Sequence, residues 1–252
     1  MKTNRSFEYS AEFYDLIYKE KNYEKETTFI EDIFKAFTKP KSILEIGCGT
    51  GNYTKILHRK GYEMTGLDIS ENMVKVARKK CTCKFVVGDM RNVSLSDRFD
   101  ACIALFAVMG YVTENSEIEI ALNNIHRHLK PNGLFIFDVW NGLAVLRTPP
   151  ELRVKEFEDN KTKILRIAYP NLKAFNHICE VKYKLLVTDK VNHTCSESEE
   201  NHIVRFYFPQ EIKLFLEKNG FEVLKMCPFL DLYGSVDQTV WNTTVIARAV
   251  NP

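Results

Sequence analysis

Short apolar runs alternate with amphipathic stretches between residues 42 and 139, and this alternation is the strongest constraint on the fold. The predicted strands are 42–46, 63–67, 84–87, 99–106 and 134–139, and the predicted helices are 52–60, 71–80 and 117–129. Strands that alternate with helices indicate βαβ units, which form a parallel sheet covered on both faces. The sequence therefore predicts an α/β fold with a doubly wound, mostly parallel sheet.

The segments before and after this region follow different patterns. Residues 6–38 are predicted to form two helices, because apolar side chains recur there at helical spacing. After Trp140 no convincing helix appears before residue 207, and the predicted strands are 163–169, 178–188 and 202–208. Their alternation of apolar and polar residues favours an antiparallel sheet with one solvated face.

A last predicted helix, 209–219, precedes two predicted strands at 221–228 and 239–250. We therefore expect a catalytic domain formed by residues 1–149 and 208–252. An antiparallel β insertion at 150–207 is expected to cover its site.

Three glycines lie between the first predicted strand and the helix that follows it. Gly47, Gly49 and Gly51 form a GxGxG pattern, with Glu45 two residues before the first glycine. Glycines at this place allow a tight turn and let a ligand approach the bare backbone. Dinucleotide-binding loops have GxGxxG, and a phosphate-binding P-loop needs a following lysine, so neither pattern is met.

Acidic residues end the next two predicted strands, with Asp68 after 63–67 and Asp89 after 84–87. A carboxylate at the first of these places can accept hydrogen bonds from both ribose hydroxyls, although Asp68 could also merely precede the next helix cap. The carboxyl ends of neighbouring strands meet in the crevice of a doubly wound sheet. The glycines and the two acids together predict a nucleoside site.

The pattern Glu45-x-Gly47-x-Gly49-x-Gly51, with Asp68 and Asp89, resembles class I S-adenosylmethionine (SAM)-dependent methyltransferases. The resemblance covers residues 40–140 and, more loosely, the whole chain. It implies a Rossmann-like fold and SAM as cofactor, with Asp89 near the adenine amino group. The residues that it places at the cofactor are Tyr14, Tyr23, Glu45, Gly47, Cys48, Gly49, Gly51, Asp68, Ile69, Asp89, Met90 and Phe106.

The substrate side resembles the small-molecule members, especially the N-methyltransferases of nucleotide-linked amino sugars, in its N-terminal Tyr14–Tyr18 segment, its Met109-Gly110 pair and its insertion. The base-methylating Asn/Asp-Pro-Pro-Tyr/Phe motif is absent after the fourth strand. With a net charge of only +2 and no basic stripe, no nucleic-acid partner is expected. Methylation of N or O in a small polar metabolite is predicted, and an RNA or protein methyltransferase or a non-catalytic SAM-binding protein remain alternatives.

Tyr111, Trp140 and Asn141 follow the fourth and fifth predicted strands and are predicted to line the acceptor site. Tyr111 is the candidate catalytic residue, which would orient the acceptor or help to remove its proton; a purely packing role is the alternative. No metal site is expected, because the histidines lack HxxxH or HExxH spacing and Asp138 has no evident acidic partner.

Cysteine usage and the N-terminal sequence bear on the compartment. The seven cysteines form no regular framework, residues 1–10 lack the apolar stretch of a signal peptide, and no run nears the ~18 apolar residues of a membrane span. A cytoplasmic protein without membrane partners is expected. Edge strands of the insertion could pair between chains, so a monomer or a homodimer is expected.

Overall fold

The computed structural model describes residues 10–250, so residues 6–9 of the first predicted helix lie outside the described residues. The helices are α1 Tyr14–Ile17, α2 Tyr23–Phe37, α3 Asn52–Arg59, α4 Glu71–Lys80, α5 Asn115–His128, α6 Gly142–Arg147 and α7 Pro209–Lys218. Short 3-10 helices span Val108–Tyr111 and Ala174–Asn176. The strands are β1 Ser42–Ile46, β2 Glu63–Asp68, β3 Lys84–Val87, β4 Phe99–Ala104, β5 Leu129–Trp140, β6 Arg153–Glu158, β7 Thr162–Lys173, β8 Ile178–Asp189, β9 Thr194–Arg205, β10 Phe221–Pro228 and β11 Asn242–Ala249.

The larger sheet has seven strands in the order β10-β11-β5-β4-β1-β2-β3. Strands β1 to β5 are parallel to one another, whereas β11 is antiparallel to both β5 and β10. The chain reverses its direction of winding between β1 and β4, and this switch point opens a crevice at the carboxyl ends of the strands. The predicted doubly wound, mostly parallel α/β fold is confirmed.

Strand β5 shows why the sheet is buried on both faces. Phe135 and Phe137 stack at 4.5 Å and belong to one apolar cluster, which α5 and α7 cover. Leu134 and Ile136 belong to a second cluster, formed with α2 and α3 on the opposite face. Side chains alternate between the faces of a strand, so an unbroken apolar run fills two cores.

The remaining strands form a four-stranded antiparallel sheet in the order β6-β7-β8-β9. The antiparallel insertion is therefore confirmed as part of the fold, while its exact domain boundaries stay a prediction. Ile17 of α1 packs with Ile164, Leu185 and Val187 of this sheet. The N-terminal helix thus holds the insertion beside the large sheet.

Several element boundaries differ from the prediction. The first predicted helix is reduced to the four residues Tyr14–Ile17, and α6 was not predicted at all. Strand β5 begins at Leu129 rather than at residue 134, because Asn132 adopts a positive φ of 64° that lets the strand pass its Pro-Asn-Gly turn. Strand β6 was missed because nearly all of its residues are exposed. Within residues 10–250, no helix is long and apolar enough to cross a membrane.

Candidate active site

A cleft of about 280 Å³ opens at the carboxyl ends of the parallel strands, beside the switch point between β1 and β4. Most of the predicted site residues converge on its wall, although they come from separate parts of the chain. They are Tyr14, Tyr23, Gly47, Cys48, Gly49, Asp68, Ile69, Asp89, Met90, Phe106, Tyr111 and Trp140.

The glycine loop turns the chain from β1 into α3 with positive φ angles of 66° at Gly47, 51° at Gly49 and 76° at Gly51. A Cβ atom on Gly47 would lie 2.5 Å from Cγ2 of Val108, so the loop packs against the 3-10 helix that follows β4. A Cβ atom on Gly49 would meet no heavy atom within 4 Å. The backbone at Gly49 is therefore open to a ligand in the cleft.

Asp68 connects the glycine loop to the start of α4. Its two carboxylate oxygens accept hydrogen bonds from the backbone N–H groups of Gly49 and Ser70, each at 2.8 Å. Burial raises the pKa of Asp68, and these two hydrogen bonds oppose that rise. Each carboxylate oxygen can accept a second hydrogen bond, so Asp68 can hold the loop and still bind a pair of hydroxyl groups.

Asp89 is held by a neighbouring arginine. The Nε atom of Arg91 donates to both carboxylate oxygens of Asp89, at 2.9 and 3.0 Å, and Nη1 of Arg91 donates to Glu117 at 2.7 Å. Although burial opposes it, this pairing lowers the pKa of Asp89. Ile69 is 62% exposed on the same wall, an unusual environment for an isoleucine, and offers an apolar surface to a flat ring.

The fit of the cleft to a nucleoside ligand rests on one further observation. The hydroxyl of Tyr23 lies buried in the wall and makes no hydrogen bond to any described residue. A buried polar atom without a partner is costly, and a polar ligand group would satisfy it. Together with open backbone at Gly49 and the uncovered Ile69, this fits a molecule that has both polar groups and a flat ring.

Glu45 and Gly51 do not lie on the cleft wall, although the sequence predicted cofactor contacts for both. Glu45 is 1% exposed and accepts a hydrogen bond from the hydroxyl of Thr54 in α3. Burial raises its pKa to about 8. Gly51 forms the N-cap of α3 and packs against Ala77 and Phe85. Both residues therefore contact the protein interior and support the loop on the side away from the cleft.

The structure does not place Asn141 on the cleft wall, although the sequence predicted that it lines the acceptor site. Its side chain is 2% exposed and caps α6 by accepting a hydrogen bond from the N–H of Leu143. Its amide group donates to the carbonyl oxygens of Asp237 and Val240, at 2.8 and 2.9 Å. The two donated bonds hold the loop that contains Asp237 and Val240, and the accepted bond caps α6, so the side chain is directed away from the cleft.

Asp138, a buried residue near the carboxyl end of β5, determines the shape of the turn after β4. Its carboxylate accepts hydrogen bonds from the N–H groups of Phe106 and Ala107, at 2.5 and 3.0 Å. Burial raises the pKa of Asp138 to about 6. No group of three or more His, Cys, Asp or Glu side chains within residues 10–250 is arranged to hold a metal ion.

The other part of the cleft wall combines Tyr111 and Trp140 with residues that the sequence analysis missed. From the insertion come Val181, Tyr183, His202 and Val204, and from the large sheet comes Asn242. On β8 and on β9 the wall residues are two positions apart, which is the spacing of one strand face. The sequence showed this alternation of residues, but it did not show which face of each strand lies against the cleft.

Tyr111 and His202 are in direct contact, with the tyrosine hydroxyl 2.8 Å from Nδ1 of the imidazole. Nε2 of His202 lies 3.4 Å from a carboxylate oxygen of Glu200. Arg205 anchors this end of β9, since it donates to the carbonyl oxygen of Thr113 and to Oδ1 of Asn115, each at 2.7 Å. The insertion is thereby fastened to the segment that carries Tyr111.

Asp15 fastens the N-terminal helix to the glycine loop. It accepts hydrogen bonds from the hydroxyl of Thr50 at 2.8 Å and from the amide of Asn52 at 3.0 Å, and it forms an ion pair with Lys80 at 2.5 Å. Its neighbour Tyr14 lines the cleft. The N-terminal segment is thus held over the cleft by polar contacts.

Known proteins that are similar to this chain include methyltransferases. Residues 43–133 match the family model described as a methyltransferase domain. The chain is 26% identical over 217 residues to dTDP-3-amino-3,6-dideoxy-alpha-D-glucopyranose N,N-dimethyltransferase of Streptomyces fradiae, covering 84% of each chain. It is 30% identical over 216 residues to an uncharacterized protein of Methanocaldococcus jannaschii, covering 85% of this chain and 74% of that protein. For three further curated relatives the match spans only 56 to 58% of their length.

A solved structure shares the whole fold. A SAM-dependent methyltransferase from Clostridium acetobutylicum superposes with a TM-score of 0.82 at 20% identity, covering 97% of this chain and 99% of that one. The doubly wound sheet, the glycine loop and the acids at the strand ends define a nucleoside-binding α/β protein. The chain belongs to the class I SAM-dependent methyltransferases, whose methyl donor is S-adenosylmethionine.

Proposed function

We propose that this chain transfers a methyl group from SAM to the amino nitrogen of a small polar metabolite, an amino sugar carried on a nucleotide. One observation carries the proposal: the glycine loop and Asp68 line the same cleft as Tyr111 and the side chains of the insertion. Holding donor and acceptor in line supplies much of the rate of such a reaction.

The residues that would hold the cofactor are those of the loop side of the cleft. Asp68 is placed to accept hydrogen bonds from the ribose hydroxyls, and Ile69 and Met90 to flank the adenine ring. Tyr23 offers a hydroxyl without a partner among residues 10–250. When bound, SAM supplies a methyl group on a positively charged sulfur, which a nucleophile can attack directly.

The acceptor class is supported by the relative from Streptomyces fradiae, which is named as acting on a TDP-linked amino sugar. In the proposed reaction a bond forms between the amine nitrogen and the methyl carbon while the bond from carbon to sulfur breaks. The amine needs a free lone pair for this attack. One proton is released for each methyl group transferred, and S-adenosylhomocysteine leaves.

We also propose that the protein works in the cytoplasm, as a monomer or a homodimer and without a nucleic-acid partner. All seven cysteines are unpaired, which supports a reducing compartment. Strands β6 and β9 are the edges of the smaller sheet and offer a surface for pairing between copies. Gel filtration with light scattering measures that state.

Calorimetric titration of SAM and, separately, of NADH tests the cofactor. We expect SAM to bind and NADH not to bind. Asp68→Ala should weaken SAM binding about 10- to 100-fold, as the loss of a charged hydrogen-bond acceptor implies. Asp97→Ala serves as the control, because that exposed carboxylate pairs with Lys84 away from the cleft. A folded protein that does not bind SAM contradicts the proposal.

A second experiment tests the acceptor. TDP-linked 3-amino-3,6-dideoxyglucose is incubated with SAM and the protein, and mass spectrometry follows the addition of methyl groups. We expect methylation that Asp68→Ala slows and Asp97→Ala leaves unchanged. A protein that binds SAM and methylates neither this compound nor related amino sugars belongs to another substrate class.

A further inference from the structure

Two buried side chains extend inward from the acceptor side of the cleft behind Tyr111. His202 and Glu200 are each 4% exposed, and the imidazole connects the tyrosine hydroxyl on one side with the carboxylate on the other. Glu200 also accepts hydrogen bonds from the N–H and the hydroxyl of Ser10, each at 2.8 Å. A continuous series of polar groups therefore leads from the cleft wall to a fixed carboxylate.

The partners of His202 determine which of its nitrogen atoms carries the proton. An ionised carboxylate only accepts hydrogen bonds, so Nε2, which faces Glu200, is the donor. Neutral imidazole then has its lone pair on Nδ1, the atom that lies 2.8 Å from the hydroxyl of Tyr111. Tyr111 donates to this atom, and the imidazole is placed to take up a proton from that direction.

We propose that Tyr111 receives a proton from the acceptor's amino group and that His202, oriented by Glu200, takes the hydroxyl proton of Tyr111. This inference rests on the proposed function, in which the acceptor is an amine that arrives as an ammonium group. The ammonium proton moves to the oxygen of Tyr111 as the hydroxyl hydrogen moves to Nδ1 of His202. The products are a neutral amine, an unchanged tyrosine and an imidazolium beside Glu200, so the charge is conserved.

Tyr111 passes a proton on rather than keeping a negative charge. Burial raises the pKa of its hydroxyl well above the ordinary value, with smaller contributions from Tyr183 and Tyr18. A group that stays protonated cannot act as a base alone, but its hydroxyl can accept one proton while it gives up another. Tyr111 is thus the residue that contacts the acceptor, and His202 and Glu200 act through it.

The other groups around His202 leave this assignment intact. Tyr183 of β8 contacts the imidazole edge-on, with ring centroids 4.9 Å apart. Tyr14, Tyr18 and Arg166 line a small cavity next to His202 and Glu200. The guanidinium of Arg166 lies over the rings of Tyr18 and Tyr183, at 5.6 and 5.3 Å. Within residues 10–250, the carboxylate of Glu200 is in polar contact with Nε2 of the imidazole.

The pH dependence of methylation tests the proposal with Tyr111→Phe and His202→Gln. Both should lower kcat/KM for the TDP-linked amino sugar about 10²-fold near pH 7. The loss should shrink above the pKa of the free amine, because the substrate then arrives without its extra proton. The SAM affinity should stay within about twofold. His193→Gln, in the exposed turn between β8 and β9, is the matched control. An equal loss at every pH would assign a structural role to His202 and overturn the proposal.

A measurement without turnover separates this inference from the proposed function. Nitrogen-15 NMR of histidine-labelled protein with S-adenosylhomocysteine bound reports which imidazole nitrogen of His202 carries a proton. We expect Nδ1 to be unprotonated and its signal to shift in Tyr111→Phe. A proton on Nδ1 would overturn the relay even if amines are methylated. If Nδ1 is unprotonated but no amine is methylated, the result contradicts the proposed acceptor and not the orientation of His202.

Discussion

The carboxylate of Asp138 accepts a hydrogen bond from the backbone N–H of Ala107, an alanine that adopts a positive φ of 57°. The preceding residue, Phe106, has a φ of 72° and donates to the same carboxylate. Left-handed backbone is unfavourable for residues other than glycine and persists only where its surroundings hold it in place. Asp138 provides that hold and so positions Phe106 on the cleft wall.

Replacement of Asp138 should therefore destabilise the protein. In Asp138→Ala the buried N–H group of Ala107 and the part-buried N–H group of Phe106 lose their acceptor, and the free energy of unfolding should fall by about 2 to 5 kcal/mol. Asp138→Asn keeps one oxygen and should lose less. Guanidinium unfolding measures both variants. Asp159→Ala is the control, since Asp159 likewise accepts two backbone hydrogen bonds but in an exposed turn, where water can replace it. An equal effect for Asp138→Ala and Asp159→Ala would contradict this interpretation.

The glycine loop predicts a difference between two similar substitutions. Gly47→Ala places a Cβ atom 2.5 Å from Val108, whereas Gly49→Ala meets nothing within 4 Å. Both variants bear the cost of about 1 kcal/mol for alanine at positive φ. Only Gly47→Ala adds the steric clash, so it should be less stable than Gly49→Ala by a further 1 to 3 kcal/mol or so.

The clash can be tested by removing its partner. Val108→Ala in the Gly47→Ala background should restore part of the lost stability, whereas in the Gly49→Ala background it should restore none. A double-mutant cycle based on thermal unfolding measures this coupling. Additive effects of the two substitutions would show that a clash with Val108 is not what destabilises Gly47→Ala.

The buried carboxyl group of Glu45 makes stability depend on pH. Its pKa is raised to about 8 by burial, against about 4.5 when exposed. Below pH 4.5 the group is neutral in both states, and its contribution to stability is fully present. Between pH 4.5 and 8 the unfolded state releases the proton of Glu45 while the folded state retains it. This difference favours unfolding as the pH rises, so the contribution to stability is lost.

Glu45→Gln keeps a side-chain oxygen for Thr54 but cannot ionise. The variant should therefore gain stability relative to the wild type between pH 5 and 9, by up to roughly 5 kcal/mol at about 1.4 kcal/mol per pKa unit. Urea unfolding of both proteins at several pH values measures the difference. Parallel curves across this range would refute a raised pKa for Glu45.

The contacts of Asp15 should affect ligand affinity more than stability. Asp15→Ala removes the acceptor for Thr50 and Asn52 and the partner of Lys80, which frees the N-terminal helix from the loop. We expect SAM binding to weaken about 3- to 30-fold in calorimetry, with a small change in the midpoint of unfolding. Asp32→Ala, which breaks an exposed pair with Lys35 on α2, should bind SAM as the wild type does. Unchanged affinity in Asp15→Ala would show that the N-terminal segment does not close over the cofactor.

Local patterns in the sequence were sufficient for the large sheet and for one half of the site. The apolar run from Leu134 to Phe137 predicted a strand buried on both faces, and the structure places its alternate side chains in two cores. Asp68 and Asp89 come together because parallel strands end at one edge. Such features follow from short-range periodicity and from the topology that it implies.

Other features depend on which surfaces meet. Asn141 could be placed after β5 from the sequence, but its side chain was free to face either the cleft or the loop that it holds. The side chain of Glu45 is ambiguous in the same way, because a shift of one residue along a strand moves a side chain from the face toward the ligand to the face toward the core. The pattern of polar and charged residues in the sequence does not indicate whether these two side chains face the cleft or the protein interior.

By itself, the sequence determined a doubly wound sheet, a glycine turn at its switch point and acids at the neighbouring strand ends, because each is encoded within a few residues. Only the tertiary structure placed His202 against Tyr111, 91 positions away. That contact requires the insertion to fold onto the large sheet, where Gly110 leaves room for Val204 and Arg205. The close packing of distant surfaces, which no local pattern specifies, decides which histidine reaches the site.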